Sequence, residues 1–188
     1  MKKFSLPERL KMDTSWSLFL DRDGVINRRI PGDYVKTIDE FQFLPGVLDA
    51  FKIFSGKFSH IFVVTNQQGI GKGLMSRGEL HKVHDYLQSE IKKSGERIDR
   101  IFYAPYLESD HHPMRKPGIG MGLEAKKAFP NVDFKKSIMA GDSMSDMIFG
   151  KRLKMKTVFI GDDLQKCRDH HRLIDFHFYS LHDFALQL

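Results

Sequence analysis

The chain contains a single cysteine, Cys167, among 188 residues. One thiol can close no disulfide within the chain and cannot build a multi-thiolate zinc site, and its solitude fits a reducing compartment, so a cytoplasmic protein is expected. Long apolar runs are also missing. After the basic Met1-Lys2-Lys3, Leu6-Pro7-Glu8-Arg9 breaks the stretch where a signal peptide would need an unbroken apolar core. No later run approaches the roughly 20 apolar residues of a membrane span. Runs of one charge are scarce as well. Lys and Arg outnumber Asp and Glu, for a net charge of +6, but they are scattered. Without clustering there is no electrostatic footprint for nucleic acid, which is therefore not the expected partner; the surplus equally suits an enzyme that attracts a small polyanion. Internal repeats and low-complexity tracts are absent too.

What is present suffices for one medium domain: 41% of the residues are apolar, 16 of them phenylalanine, enough to fill a core. Residues 1–15 mix charge with Pro7 and have no period, which predicts a surface tail leading into a domain over 16–188. Trp16-Ser17-Leu18-Phe19-Leu20 is a short apolar run that ends in Asp21-Arg22-Asp23-Gly24, the pattern of a buried strand meeting a functional loop. Further strands are predicted at 60–64, 98–103, 137–140 and 157–160. Helices are predicted at 46–54, from the Ser76/Glu79 capping box to about 94, at 119–128 and from about 145. Residues 176–188 are assigned an edge strand and a short helix. This alternation predicts an α/β fold with a mostly parallel central sheet covered by helices on both faces.

Three predicted strands switch abruptly from apolar to polar: Leu20 to Asp21, Val64 to Thr65, and Ala140 to Gly141-Asp142. In an open parallel sheet these carboxyl ends share one rim, where ligands bind, so Asp21, Asp23, Thr65, Asn66 and Asp142 are expected to converge. Three carboxylates in one cleft repel one another unless a cation sits among them, and oxygen ligands without thiolates favour Mg2+. Lys116 would add a point charge, and the Thr65 hydroxyl with nearby backbone N–H groups could cradle phosphate oxygens. Blander readings compete. Asp-x-Asp-Gly alone can be a solvated turn, although Val25 and Ile26 exclude an EF-hand loop. Gly69, Gly71 and Gly73 fit no nucleotide-binding loop, and Lys72 is solvated or steers substrate. His81 and His84 are read as packing or surface residues. His111 and His112 beside Asp110 diverge as neighbours must, with no further ligands identified. Phe41, Phe43, Phe51, Phe54, Phe58 and Phe62 are assigned to the core.

Asp21-Arg22-Asp23-Gly24-Val25, Thr65-Asn66, Lys116 and Gly141-Asp142-Ser143-Met144-Ser145-Asp146 together resemble the four ordered motifs of haloacid dehalogenase-like phosphatases. Thr65-Asn66-Gln67-Gln68-Gly69-Ile70-Gly71-Lys72-Gly73 and Arg115-Lys116-Pro117 resemble the heptose-bisphosphate and histidinol-phosphate phosphatase branch, and 33–47 looks more like the heptose enzymes. The resemblance implies a three-layer Rossmann-like fold and Mg2+-dependent phosphomonoester hydrolysis through an aspartyl-phosphate. Asp21 would be the nucleophile, and Asp23 the general acid and then base. Mg2+ would be held by Asp21, Asp142 and the backbone carbonyl of Asp23. Thr65 and Lys116 would bind the transferring phosphoryl group, and Asn66 and Arg115 the substrate. Asp146 and Ser143 would support them, Asp146 by orienting Lys116 or a water of the metal. The family's zinc loop of three cysteines and a histidine has no counterpart in 104–114, so no structural zinc is expected. The absence of a large cap insertion implies an open site bounded by short loops. The implied substrate is a small phosphorylated metabolite, foremost the 7-phosphate of D-glycero-D-manno-heptose 1,7-bisphosphate, acted on by a monomer. Histidinol phosphate, a polynucleotide 3′-phosphate, and a catalytically silent binding protein are the alternatives.

Overall fold

The apolar runs bury both of their faces, and the fold follows from that. In the computed structural model, which describes residues 6–188, the elements in chain order are α1 (Leu6–Leu10), β1 (Ser17–Leu20), α2 (Val47–Lys57), β2 (His60–Asn66), α3 (Arg77–Lys93), β3 (Arg100–Ala104), α4 (Gly120–Ala128), β4 (Ser137–Gly141), α5 (Met144–Arg152), β5 (Lys156–Ile160), α6 (Leu164–Asp169), β6 (Phe176–Phe178) and α7 (Leu181–Ala185). The six strands form one sheet in the order β3-β2-β1-β4-β5-β6, every pair parallel.

Strand residues alternate between the faces. Leu18, Leu20, Ile61, Val63, Ile138 and Ala140 face a core completed by α2, α3 and α7, where Phe54 packs against Phe51, Phe58 and Phe184. Phe19, Phe62, Val64 and Met139 face a second core with Met121 and Ala125 of α4 and Phe149 of α5. The result is the three-layer α/β arrangement, with β1 and β4 central and paired so that Leu20 lies opposite Ala140. Asp21 therefore emerges beside Gly141, and its N–H donates to the Ala140 carbonyl at 3.0 Å.

Two helix starts explain local geometry. In α3 the Ser76 hydroxyl accepts from the Glu79 N–H and the Glu79 carboxylate accepts from the Ser76 N–H, the reciprocal box expected from the sequence. In α5 the same box joins Ser143 to Asp146, so that the cap fixes a buried carboxylate at the sheet rim.

The expected surface tail needs correction. Met1 to Ser5 lie outside the described residues, but 6–10 form α1, Leu6 is buried, and its N–H donates to the Gln187 carbonyl. A five-residue helix is too short to show a period, and here packing against the core and the C-terminal residues holds it. The α6 helix was not expected either; it opens at Asp163, whose carboxylate accepts from the Lys166 N–H.

Candidate active site

The ends of β1, β2 and β4 bring Asp21, Thr65 and Asp142 to one rim, and the loop before α4 adds Lys116. A cleft of about 390 Å³ there is lined by Asp21, Asp23, Arg29, Tyr34, Thr65, Asn66, Lys72, Arg115, Lys116 and Ser143, among others.

Asp21 is buried and its Oδ1 accepts twice, from the Arg22 N–H at 2.8 Å and from Lys116 Nζ at 2.9 Å. Lys116 is buried too. Its ammonium also donates to the Val64 carbonyl at 2.6 Å and stands 2.5 Å from Asp146 Oδ1. That last contact is a buried ion pair. Burial pushes the Asp21 carboxyl up to about 6, with Lys116 opposing and Asp146 and Asp23 adding to the rise. Burial also presses on Lys116, but the charges of Asp146 and Asp21 outweigh it and hold the ammonium above its ordinary range.

Asp142 is pushed up to about 7 by burial and by the Asp21 charge, with Arg29 opposing. It lies against Gly24, whose φ is +93°; a Cβ there would collide with Asp142 Oδ2. Glycine is needed at this position for both the backbone angle and the close approach.

The structure revises which carboxylates gather. Oxygens of Asp21, Asp142 and Asp146 lie within 4.8 Å of one another, whereas the Asp23 carboxylate turns aside. It accepts from Arg22 Nε and Nη2, from Asn27 Nδ2 at 2.9 Å and from Gln67 Nε2 at 2.7 Å. Burial alone would raise its pKa, but Arg22 and these donors prevail and hold it below the ordinary carboxylate range. The Asp23 backbone carbonyl does face the cluster: Arg29 Nη2 donates to it at 3.2 Å and to Asp142 Oδ1 at 2.9 Å. A cation already spans these two oxygens. The close carboxylates of Asp21 and Asp142, both with raised pKa values, and the converging Asp23 carbonyl suit a hard divalent cation.

The other expected residues divide. Thr65 Oγ1 accepts from Gln67 Nε2 at 2.9 Å and lines the cleft. Asn66 lines it as well, but its amide is engaged with the Lys116 backbone rather than open to substrate. Arg115 lines the cleft with a largely buried side chain, 3.9 Å from Glu108. Ser143 caps α5 and donates to Asp146 Oδ2 at 2.6 Å. His112 stacks on Tyr106, and neither His111 nor His112 joins a metal-ligating group among the described residues.

Sequence reasoning missed Arg22, His84, Asn27, Gln67 and Arg29. Arg22 is fully buried, and its Nη1 lies 3.0 Å from His84 Nε2. Since a guanidinium only donates, that nitrogen must be the acceptor, which makes His84 the neutral Nδ1–H tautomer. One signal for Arg22 was present: an arginine between two motif aspartates at the end of a fully buried strand.

A family model described as polynucleotide kinase 3 phosphatase matches residues 18–183. The chain is 42% identical over 132 residues to a D-glycero-α-D-manno-heptose-1,7-bisphosphate 7-phosphatase of Mycobacterium bovis, covering 70% of each chain. It is 38% identical over 156 residues to the Campylobacter jejuni protein of the same name, covering 83% of this chain and 88% of that one. A solved D,D-heptose 1,7-bisphosphate phosphatase from B. bronchiseptica, in complex with magnesium and phosphate, superposes with a TM-score of 0.82 at 27% identity over 92% of this chain and 97% of the other.

Proposed function

The chain belongs to the polynucleotide kinase 3 phosphatase family of haloacid dehalogenase-like phosphatases and is a phosphoric monoester hydrolase; from that premise we propose that it removes the 7-phosphate of D-glycero-α-D-manno-heptose 1,7-bisphosphate through a phosphoaspartate at Asp21. The substrate reading is supported by the names of the relatives at 38–42% identity, which specify the α anomer. The observation that carries the chemistry is the buried contact of Asp21 with Lys116 at the shared rim.

Two donors on Asp21 Oδ1 leave Oδ2 for attack on phosphorus. The P–O ester bond breaks, its electron pair leaves with the sugar oxygen, and Asp23 supplies the proton. Asp23 rests ionised, held so by Arg22, Asn27 and Gln67. The approaching phosphoryl oxygens add negative charge that raises its pKa, so that it takes up a proton as substrate binds. Water then attacks the phosphoaspartate with Asp23 accepting the water's proton, which releases phosphate and restores Asp21. Lys116 and the Thr65 hydroxyl offset charge on the phosphoryl oxygens. Asp21, Asp142 and the Asp23 carbonyl are suited to hold Mg2+, which when bound supplies Lewis-acid charge stabilisation. Asp146 keeps Lys116 in place, and Arg115, which lines the cleft, contacts the rest of the substrate.

We read the protein as a single domain, 16–188 with α1 packed against it, acting as a cytoplasmic monomer. Among the described residues no helix is long and apolar enough to cross a membrane. A second reading, removal of a 3′-phosphate from a polynucleotide end, draws support from the description of the family model. Phosphate release in Mg2+ from both anomers of heptose 1,7-bisphosphate, from histidinol phosphate and from a 3′-phosphorylated oligonucleotide separates these. The highest kcat/KM is expected for the α-heptose bisphosphate. Selective, strongly salt-dependent turnover of the oligonucleotide would overturn that assignment in favour of the second reading.

A further inference from the structure

The Arg29 guanidinium is placed where a cation is expected. Its Nη2 bridges Asp142 Oδ1 at 2.9 Å and the Asp23 carbonyl at 3.2 Å, two of the three oxygens assigned above to the metal. The contact is neither deep nor locked. The Arg29 side chain is 52% exposed, against 17% for Asp142, and it extends from the loop after Asn27 into the same cleft as Tyr34, Lys72 and Arg115. From this arrangement we propose that Arg29 is a displaceable counter-ion: it competes with the divalent cation for Asp142 and the Asp23 carbonyl, and on displacement it turns into the cleft to meet the anionic substrate.

Charge balance supports the exchange. Four carboxylates, of Asp21, Asp23, Asp142 and Asp146, face three cationic side chains, of Arg22, Lys116 and Arg29. Arg22 and Lys116 are buried and fully engaged, so neither can leave. Arg29 alone of the three is on the surface. If it yields its place to a divalent ion, the four carboxylates are balanced without it, and its charge becomes available to a phosphate. A long, half-exposed side chain can make this move without a change in the fold. Because substrate would draw Arg29 away from Asp142, substrate and metal should each tighten the binding of the other, as linkage requires.

The inference rests on the metal reading, so its test measures metal directly and without substrate. Mg2+ is titrated by calorimetry into the wild-type protein, Arg29→Gln and Arg28→Gln. Arg28 is an exposed neighbour whose loss changes net charge equally but which does not bridge Asp142 and the Asp23 carbonyl. Arg29→Gln is expected to bind Mg2+ roughly three- to fivefold more tightly than wild type, the upper end of the effect for a half-exposed ion pair removed from competition. Arg28→Gln should stay within about twofold, since a charge at greater distance is screened by solvent. In turnover assays Arg29→Gln should raise KM for the bisphosphate more than it lowers kcat. Equal Mg2+ affinity of wild type and Arg29→Gln, or an equal gain in Arg28→Gln, would overturn the counter-ion role while leaving the metal site standing. No saturable Mg2+ binding in any of the three proteins would overturn the metal reading, and the counter-ion role with it.

Discussion

Asn66 grips the backbone of Lys116 at both ends: its Nδ2 donates to the Lys116 carbonyl at 3.0 Å and its Oδ1 accepts from the Lys116 N–H at 2.9 Å. The Asn next to Thr65 thus ties the end of β2 to the loop that delivers the ammonium. Asn66→Ala frees that loop, and a small displacement of a positioned charge is costly in catalysis. A fall in kcat of roughly 10- to 100-fold is expected, with far-ultraviolet circular dichroism unchanged. Unaltered kcat would show that Lys116 needs no such clamp.

Lys116 is also structural. Buried between Asp21 and Asp146, it compensates two carboxylates that have little water. Lys116→Met leaves them unpaired and should cost about 3–5 kcal/mol of unfolding free energy in addition to abolishing turnover. Urea denaturation at neutral pH measures this. Wild-type stability in the variant would mean that the carboxylates do not depend on the ammonium.

His84 should make stability depend on acid. Burial, then the neighbouring Arg22 charge, push its pKa down to about 3 from an ordinary 6.5. As the pH falls through that interval the unfolded chain binds the proton and the folded one does not. The stabilisation is therefore complete above 6.5 and declines towards 3, by up to about 1.4 kcal/mol per pH unit. Asp21 and Asp142, with raised pKa values, act in the opposite sense, so the comparison is with His84→Gln. The stability difference between wild type and variant should shift against wild type as pH falls from 7 to 4. A constant difference would mean that His84 titrates normally.

Gly24→Ala probes the metal site from behind. The added methyl meets Asp142 Oδ2, and the φ of +93° is unfavourable for alanine. Asp142 must move, so the Mg2+ concentration for half-maximal activity should rise at least about tenfold, on the scale seen when support for a metal ligand is disturbed. An unchanged requirement would remove Asp142 from the ligand set.

Most of the sheet was legible because it is parallel and buried on both faces, which turns strands into short, uninterrupted apolar runs such as 61–64 and 138–140. Asp21, Thr65 and Asp142 were legible because each stands where such a run turns polar. What escaped were interactions between distant residues or on short elements. The burial of Arg22 depends on His84, 62 residues away on α3, and an exposed-looking arginine gives no sign of such a partner. Nothing in the sequence pairs Asn27 and Gln67, 40 residues apart, with the Asp23 carboxylate to which both donate. Its turn towards them explains why Asp146 takes the place expected for the Asp23 carboxylate in the acidic cluster. Spacing in sequence does not determine to which side of a tight loop a carboxylate points.

Asp21 is the residue on which the proposed phosphoryl transfer depends. Acid quenching during turnover of a 7-32P-labelled heptose 1,7-bisphosphate in Mg2+ tests it most directly. The wild-type protein is expected to retain a hydroxylamine-labile label that maps to the peptide containing Asp21, and Asp21→Asn neither label nor turnover. Wild-type phosphate release by Asp21→Asn, or a label on another residue, would contradict it.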